Sequence, residues 1–336
     1  MVTYNRPAQQ SRLATEHTVI KAEKFTQLGV EALKTHSWIP QIFTLFPGDR
    51  FKGALNDTLT WKTGRFTVAR DYEWRTRLSP VQLDRIGTTY ATVKLDQHIT
   101  QAVPVTNEHM TMDLTSFAQE ITEPQLRAMN DRINYHVMKA LREAPLATTN
   151  INATSQDDPF AVALQAHLKL QREGVPNDNR FWVVGANVEE WLLSSDKLTD
   201  PQRGGNALVR NNSIGQIRGF NVISGSAFIG DNEMYFGHKS GLLVANIAPE
   251  APMDVPNSGR YSANGFSLMG TLMYTDRYQS TTSTLSTFLG VNSVNDQMQL
   301  EPNGSERAGL PVFDDNGDPV LTGKNVRICS GEFSVS

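Results

Sequence analysis

Between Asp113 and Pro145 the chain carries an apolar stripe at helical spacing. Leu114, Phe117, Ala118 and Ile121 fall at i, i+3, i+4 and i+7, and Leu126, Met129, Ile133, Val137 and Leu141 continue the stripe. Asp113 is placed to cap the first turn. Glu123-Pro124 interrupts the pattern, either as a kink or as the boundary between a short helix and a longer one. In the second case Thr122 is the cap and Pro124 lies in the first turn. The pattern predicts a helical element over about 113–143, roughly 45 Å long at 1.5 Å per residue. A helix of that length acts as a spine that crosses the molecule and ties distant parts together.

Ahead of the spine, residues 48–78 alternate in the manner of exposed strands. Leu59, Trp61, Phe66, Val68, Tyr72 and Trp74 are interleaved with Thr60, Lys62, Thr67, Arg70, Glu73 and Arg75, and Pro47-Gly48 and Thr63-Gly64 mark turns. Seven basic residues stand against three acidic ones between 50 and 77. A two-stranded ribbon is marginal alone in water, and the sequence offers it no obvious support within a monomer. Three readings stay open. The ribbon lies on another subunit, or it is an ordinary surface hairpin, or its aromatic side chains stack on single-stranded nucleic acid between basic ones. The candidate contact residues are Arg50, Lys52, Trp61, Lys62, Arg65, Arg70, Trp74 and Arg75.

A further alternating run, Tyr90–Thr100, reads as a strand that continues through Val105, where Pro104 suits an edge or a strand end. Trp38–Pro47 is an apolar anchor between prolines. Residues 1–36 are a polar arm with Ile20, Phe25, Leu28 and Leu33 on one loose helical face. The arm is either a frayed terminus or a segment that orders on a neighbour.

After the spine comes an α/β block. Asp158-Pro159 starts a helix with a predicted stripe of Phe160, Leu164 and Leu168, ended by Gly174 and Pro176. Phe181–Gly185 reads as a strand, and Asn187 with Glu190 resembles a capping box for a helix over Val188–Ser195. Residues 199–213 read as an exposed loop. Further strands are expected at Phe220–Ser224, Glu233–Gly237, Leu242–Ile247, Phe266–Tyr274 and Leu285–Val291. Residues 296–336 form an acidic tail with a hairpin turning at Asn316-Gly317.

No catalytic chemistry is written locally. The acids around Gly317 fail the EF-hand pattern, because Val312 stands where its first acid is required. None of the histidines pairs at zinc-site spacing, and there is no nucleophile elbow or phosphate loop. The single cysteine, Cys329, rules out an internal disulfide framework. Charge is near balance, 31 basic against 35 acidic residues, so nothing global argues for gripping nucleic acid. No run is long and apolar enough for a membrane span, and Met1–Pro7 lacks the apolar core of a signal peptide, so a soluble chain folding in a cytoplasm is expected.

The order of these segments resembles the major capsid proteins of tailed bacteriophages. The likeness covers about 35–295. It rests on Thr92–Leu95 followed by the acid-capped spine, on Phe181–Leu192, and on Ile214–Ser224 with its small loop, glycine and apolar strand. The resemblance implies an α+β fold with an N-terminal arm (1–36), an anchor and extended β-hairpin loop (37–80), and a peripheral domain with the spine helix (81–145 and 255–295). It also implies an α/β axial domain (146–254). The tail 296–336 does not match the family's usual ending and is expected to be an added surface hairpin. The implied function is structural: self-assembly as pentamers and hexamers into an icosahedral shell around viral double-stranded DNA, which is contacted non-specifically. Implied partners are a scaffolding protein, a portal and a decoration protein, with no cofactor, metal or membrane. The implied location is the virion, after assembly in the host cytoplasm. An encapsulin-type nanocompartment shares the fold and stays open, as does a soluble α/β enzyme with scattered catalytic residues.

Overall fold

The computed structural model describes residues 42–46, 58–66, 75, 87–106, 121–195, 198, 215–225, 228–253, 255, 257–263, 266–275, 280–299, 311–314 and 319–334. The expected arm 1–36, the first turns of the spine pattern (113–120) and the loop 199–213 lie outside the described residues.

Along the chain, β1 (Thr44–Phe46), β2 (Thr58–Phe66), β3 (Gly87–Lys94) and β4 (Gln97–Thr106) precede helix α1 (Glu123–Glu143). Then come β5 (Leu146–Thr148), β6 (Ala153–Thr154), helix α2 (Pro159–Arg172), β7 (Arg180–Val184) and helix α3 (Ala186–Ser194). Strands β8 (Gln216–Ile217), β9 (Phe220–Ser224) and β10 (Glu233–His238) lead through a 3₁₀ turn, Lys239–Gly241, into β11 (Leu242–Ile247). β12 (Ser258–Ala263), β13 (Phe266–Thr275), β14 (Ser280–Ser293) and β15 (Asn325–Ser334) follow.

Helix α1 is the spine, about 31 Å long at 1.5 Å per residue. It buries Leu126, Met129, Ile133, Val137 and Leu141 as the spacing predicts, with Met138 added. Pro124 lies in its first turn as expected. Thr122 holds the cap position, but its backbone is helical and its hydroxyl has no partner, so the predicted side-chain cap does not form. A capping side chain reaches the N2 or N3 amide from an extended backbone, which Thr122 lacks.

The spine rests on a six-stranded sheet, packing against Phe266, Leu268, Leu285 and Leu289. Gln125 and Ser283 fix the contact with two hydrogen bonds, of 3.0 and 3.1 Å. The centre of the sheet is β14. One edge carries β4 along Ser280–Leu289; the other carries β13 along Ser280–Ser286 and then β11 along Phe288–Ser293. Thr287, where the partner changes, closes a buried polar set. Asn246 Nδ2 donates to Thr287 Oγ1 (3.0 Å), Thr287 Oγ1 donates to the Ser267 carbonyl (2.9 Å), and the Ser267 amide donates to Asn246 Oδ1 (2.6 Å). The divergence of β11 and β13 therefore leaves these buried backbone groups partnered. β1 adds to β11 in parallel, and β12 adds to β13.

A seven-stranded sheet runs β5-β15-β10-β7-β9-β8, with β6 also on β15. Both faces of β7 are covered, so all five of its residues are buried. Trp182, Val184, Met234, Phe236 and Cys329 join the core with α2 and α3, while Phe181, Val183, Tyr235 and Ile328 join the core with the spine. One sheet thus separates two cores. Asp158 caps α2 by accepting from the Phe160 amide at 3.1 Å. Gly174, at φ +72°, ends it with bonds from Gly174 N to Gln171 O and from Val175 N to Leu170 O, both 3.0 Å.

Arg180 secures the loop after α2. Its guanidinium donates to the Val175 carbonyl (2.7 Å) and the Pro176 carbonyl (2.8 Å) while the residue is 2% exposed. Arg180→Met strands both carbonyls and is expected to cost about 2–4 kcal/mol. A urea-denaturation midpoint equal to wild type would refute this role.

Several expectations are corrected. The run Tyr90–Thr100 is not one strand, because the chain turns a corner at 95–96 between β3 and β4. Helix α2 buries Val162, Ala163, Ala166 and Leu170, leaving Leu164 and Leu168 on its outer side. The small alanines allow close approach to the sheet, which the leucines do not. Asn187 caps nothing: α3 begins at Ala186, and the Asn187 side chain donates to Asn232 Oδ1 at 2.7 Å. Leu242–Ile247, read with the α/β block, belongs to the six-stranded sheet. Residues 325–334, read as part of a surface hairpin, form β15 inside the seven-stranded sheet, between β10 and the β5 and β6 pair. An antiparallel bridge, Phe313 to Pro319, brackets the predicted reversal at Asn316-Gly317, which itself lies outside the described residues. Among the described residues, no helix is long and apolar enough to cross a membrane.

Candidate interaction surface

Among the described residues, the two-stranded ribbon takes only its first strand from 48–78. β2 pairs antiparallel with β3, so the strands of the ribbon are joined by residues 67–86. Thr63-Gly64, read as a turn, lies inside β2 where the register shifts between Lys62 and Gly64. This irregularity is a bulge, for which glycine is a suitable residue.

The ribbon has two faces. Leu59, Trp61, Ala91 and Val93 pack on Phe46, Leu243, Ala245 and Val294. Trp61 meets Phe46 edge to face, with ring centroids 5.0 Å apart. The base of the ribbon therefore rests on its own chain, where the sequence offered no support. The opposite face, Thr60, Lys62, Tyr90, Thr92 and Lys94, is exposed. Lys62 stands across from Tyr90 with its ammonium 5.9 Å from the ring centroid, a contact of about 0.5–1 kcal/mol at an exposed site. The ribbon's edge is also held. Asn292 Nδ2 donates to the Thr92 carbonyl at 2.6 Å, and Gly290 admits the Lys94 carbonyl against β14. A Cβ on Gly290 would lie 2.3 Å from that oxygen.

The candidate residues separate accordingly. Trp61 points into the chain's own core and Lys62 points out. Arg65 lies in β2 opposite Thr88, and Arg75 is an exposed turn residue. Arg50, Lys52, Arg70 and Trp74 lie outside the described residues. Tyr90, 54% exposed, belongs to the outer face and was missed by the sequence reading. Its signal was available: Tyr90 is in phase with Thr92 and Lys94, not with Ala91 and Val93. The outer ridge of α2 was missed as well. Leu164 and Leu168 are 37% and 42% exposed, and the Arg218 guanidinium lies 5.9 Å from the Phe160 ring centroid.

Titratable groups elsewhere are engaged in packing. Burial pushes the Cys329 thiol up to about 11, which suits an inert core residue. Tyr235 is pushed up to about 12, chiefly by burial and then by the adjacent Glu233, to which its hydroxyl donates at 3.3 Å. Arg142, in the last turn of the spine, reaches the same carboxylate at 3.1 Å and ties the helix to β10. Among the described residues, no group of three or more histidines, cysteines and carboxylates is arranged to hold a metal ion.

The sequence profile of a family described as phage capsid protein matches residues 89–288. No curated protein sequence matches the chain. Similar solved structures include one from Mycobacterium phage Che8, 13% identical with a TM-score of 0.54, covering 85% of this chain and 88% of that one. The capsid of Ralstonia phage GP4 is 9% identical with a TM-score of 0.53, covering 98% and 96%. The mature capsid of bacteriophage PhiM1 is 11% identical with a TM-score of 0.52, covering 89% and 87%. At these identities the likeness is one of fold, a mixed α+β architecture.

Proposed function

The chain belongs to the phage capsid protein family, structural proteins and not enzymes, and we propose that it is a major capsid protein. In this reading it self-assembles as pentamers and hexamers into an icosahedral shell enclosing viral double-stranded DNA. The observation that carries it is the two-faced ribbon. Its base is clamped to the chain's own core, while its outer face, with Lys62, Tyr90 and Lys94, is exposed. A subunit that must reach a neighbour needs such a rigid root for its arm.

Within this reading, the spine and six-stranded sheet form the peripheral domain, and the seven-stranded sheet with α2 and α3 forms the axial domain. The division follows the sheets: 242–295 goes with the peripheral part and 325–334 with the axial part. Net charge near balance suits a container that surrounds DNA without gripping it. A scaffolding protein, a portal and a decoration protein are the further partners of this proposal.

The test is negative-stain microscopy with light scattering on the purified chain, alone and with a co-expressed scaffold. Closed shells or uniform pentamers and hexamers are the expected outcome. A strict monomer or small dimer under all conditions would overturn the proposal.

A further inference from the structure

β10 of the seven-stranded sheet runs into β11 of the six-stranded sheet through only three residues, Lys239–Gly241. Both halves of the molecule hold this turn. From the six-stranded side, Thr44 Oγ1 donates to the Lys239 carbonyl at 3.2 Å, and the Val294 amide donates to the Gly241 carbonyl at 3.0 Å. From the seven-stranded side, the fully buried Asn325 donates through Nδ2 to the same Gly241 carbonyl at 2.8 Å, and the Lys239 amide donates to Asn179 O at 3.1 Å.

At the centre of the turn is a relay of polar groups. Arg327 pairs with Asp296, using Nε at 2.9 Å and Nη2, with the two side chains 20% and 9% exposed. Arg327 Nη1 donates to Ser240 Oγ at 2.5 Å. Ser240 Oγ lies 2.8 Å from His238 Nδ1, and the Ser240 amide donates to that same nitrogen at 3.2 Å. His238 thus caps the turn with the lone pair of Nδ1, so its own proton sits on Nε2. Nε2 faces Asp178 at 3.9 Å and makes no hydrogen bond.

We propose that this turn is a proton-operated joint, in which protonation of His238 withdraws its grip on the Ser240 amide and loosens the link between the two sheets. The chemistry is steric and electrostatic. A proton can be added only at Nδ1, where it would face the Ser240 N–H head on. The charged ring would also sit close to Arg327. The charged groups around His238 are Asp178 from the turn before β7, Arg180 from β7, Arg327 from β15 with Asp296 behind it, and Lys239 on the turn itself. Burial is the largest influence and holds the imidazole below its ordinary 6.5; Asp178 opposes it, and Arg327 and Arg180 add to it. The folded form is therefore the neutral one. The link is whole above 6.5 and weakens as pH falls through the lowered value. The joint does not depend on the shell reading.

The test is amide hydrogen exchange in the full chain across 238–243 between pH 8 and pH 5, corrected for intrinsic rates, in wild type and in His238→Asn. Asparagine can cap the turn amide but does not titrate. In wild type, protection at Ser240 is expected to fall by about tenfold more than protection in β7, and in H238N this excess is expected to vanish. The same excess in both proteins, or none in wild type, overturns the proposal. If H238N fails to fold, NMR of labelled histidine in wild type decides. An Nε2–H tautomer titrating below the ordinary midpoint supports the joint, and an Nδ1–H tautomer or an ordinary midpoint overturns it.

Discussion

Replacing Gly331 with alanine is expected to break the seven-stranded sheet and to destabilise the chain by about 3 kcal/mol or more. Gly331 lies in β15 opposite Met234 of β10. A Cβ there would lie 1.8 Å from the Ile151 carbonyl oxygen and 2.6 Å from its carbon. Those atoms are backbone, and they sit between β5 and β6, which pair with β15. No rotamer change relieves the clash, so one strand must move. The strand that moves also loses the bond from Ile151 N to Ser330 O, 3.3 Å in the native chain. The measurement is a urea-denaturation midpoint with circular dichroism, beside Glu332→Ala as a control. Glu332 is exposed one residue along, and its loss is expected to stay within about 0.5 kcal/mol. A Gly331→Ala midpoint indistinguishable from the control would sink the argument.

Charge reversal at two of Arg65, Arg70 and Arg75 is expected to prevent assembly while leaving the subunit folded. The proposed partners are acids on adjacent subunits. One exposed ion pair contributes about 1 kcal/mol at most, and reversal replaces attraction with repulsion. A closed symmetric assembly repeats the change at every copy, so small terms accumulate. The concentration needed for particles is expected to rise at least about tenfold, equivalent to about 1.4 kcal/mol per contact. The base of the ribbon, held by Trp61 on Phe46 and by Asn292 on Thr92, is untouched, so circular dichroism should show a folded subunit. Normal particles from the double variant at the wild-type concentration would refute the pairing.

What could be read from the sequence was local. The stripe from Leu126 to Leu141, the Asp158 cap and the Gly174 stop each depend on residues within a turn or two of one another, and they appear where spacing and cap chemistry put them. Non-local choices were hidden. The ribbon pairs 58–66 with 87–94, and nothing in either run specifies the other. The run Val326–Phe333 alternates well enough for a strand, but its acidic surroundings disguised it, and its place beside β10 is set by a partner some ninety residues earlier. The phase of α2 was misread because leucine looks more apolar than alanine, whereas the closeness of the sheet favours Ala163 and Ala166. For the interaction surface, the basic and aromatic content of the ribbon was legible. The outward side of Tyr90 was legible in its phase with Thr92 and Lys94, whereas the core that takes Trp61, built from Phe46, Leu243, Ala245 and Val294, is assembled from distant segments and was not.

The place of β15 also sets a timetable. It is synthesised after every other described strand of its sheet, yet it lies between β10 and β5. At about 5–20 residues per second, the ribosome takes on the order of 5–20 s to travel from β10 to β15. Throughout that interval the growing chain displays two unpaired strand edges and cannot complete the sheet. Nascent chains crowded on one messenger are therefore at risk of pairing with each other at these edges, and a factor that covers them during translation would raise the yield of folded subunits.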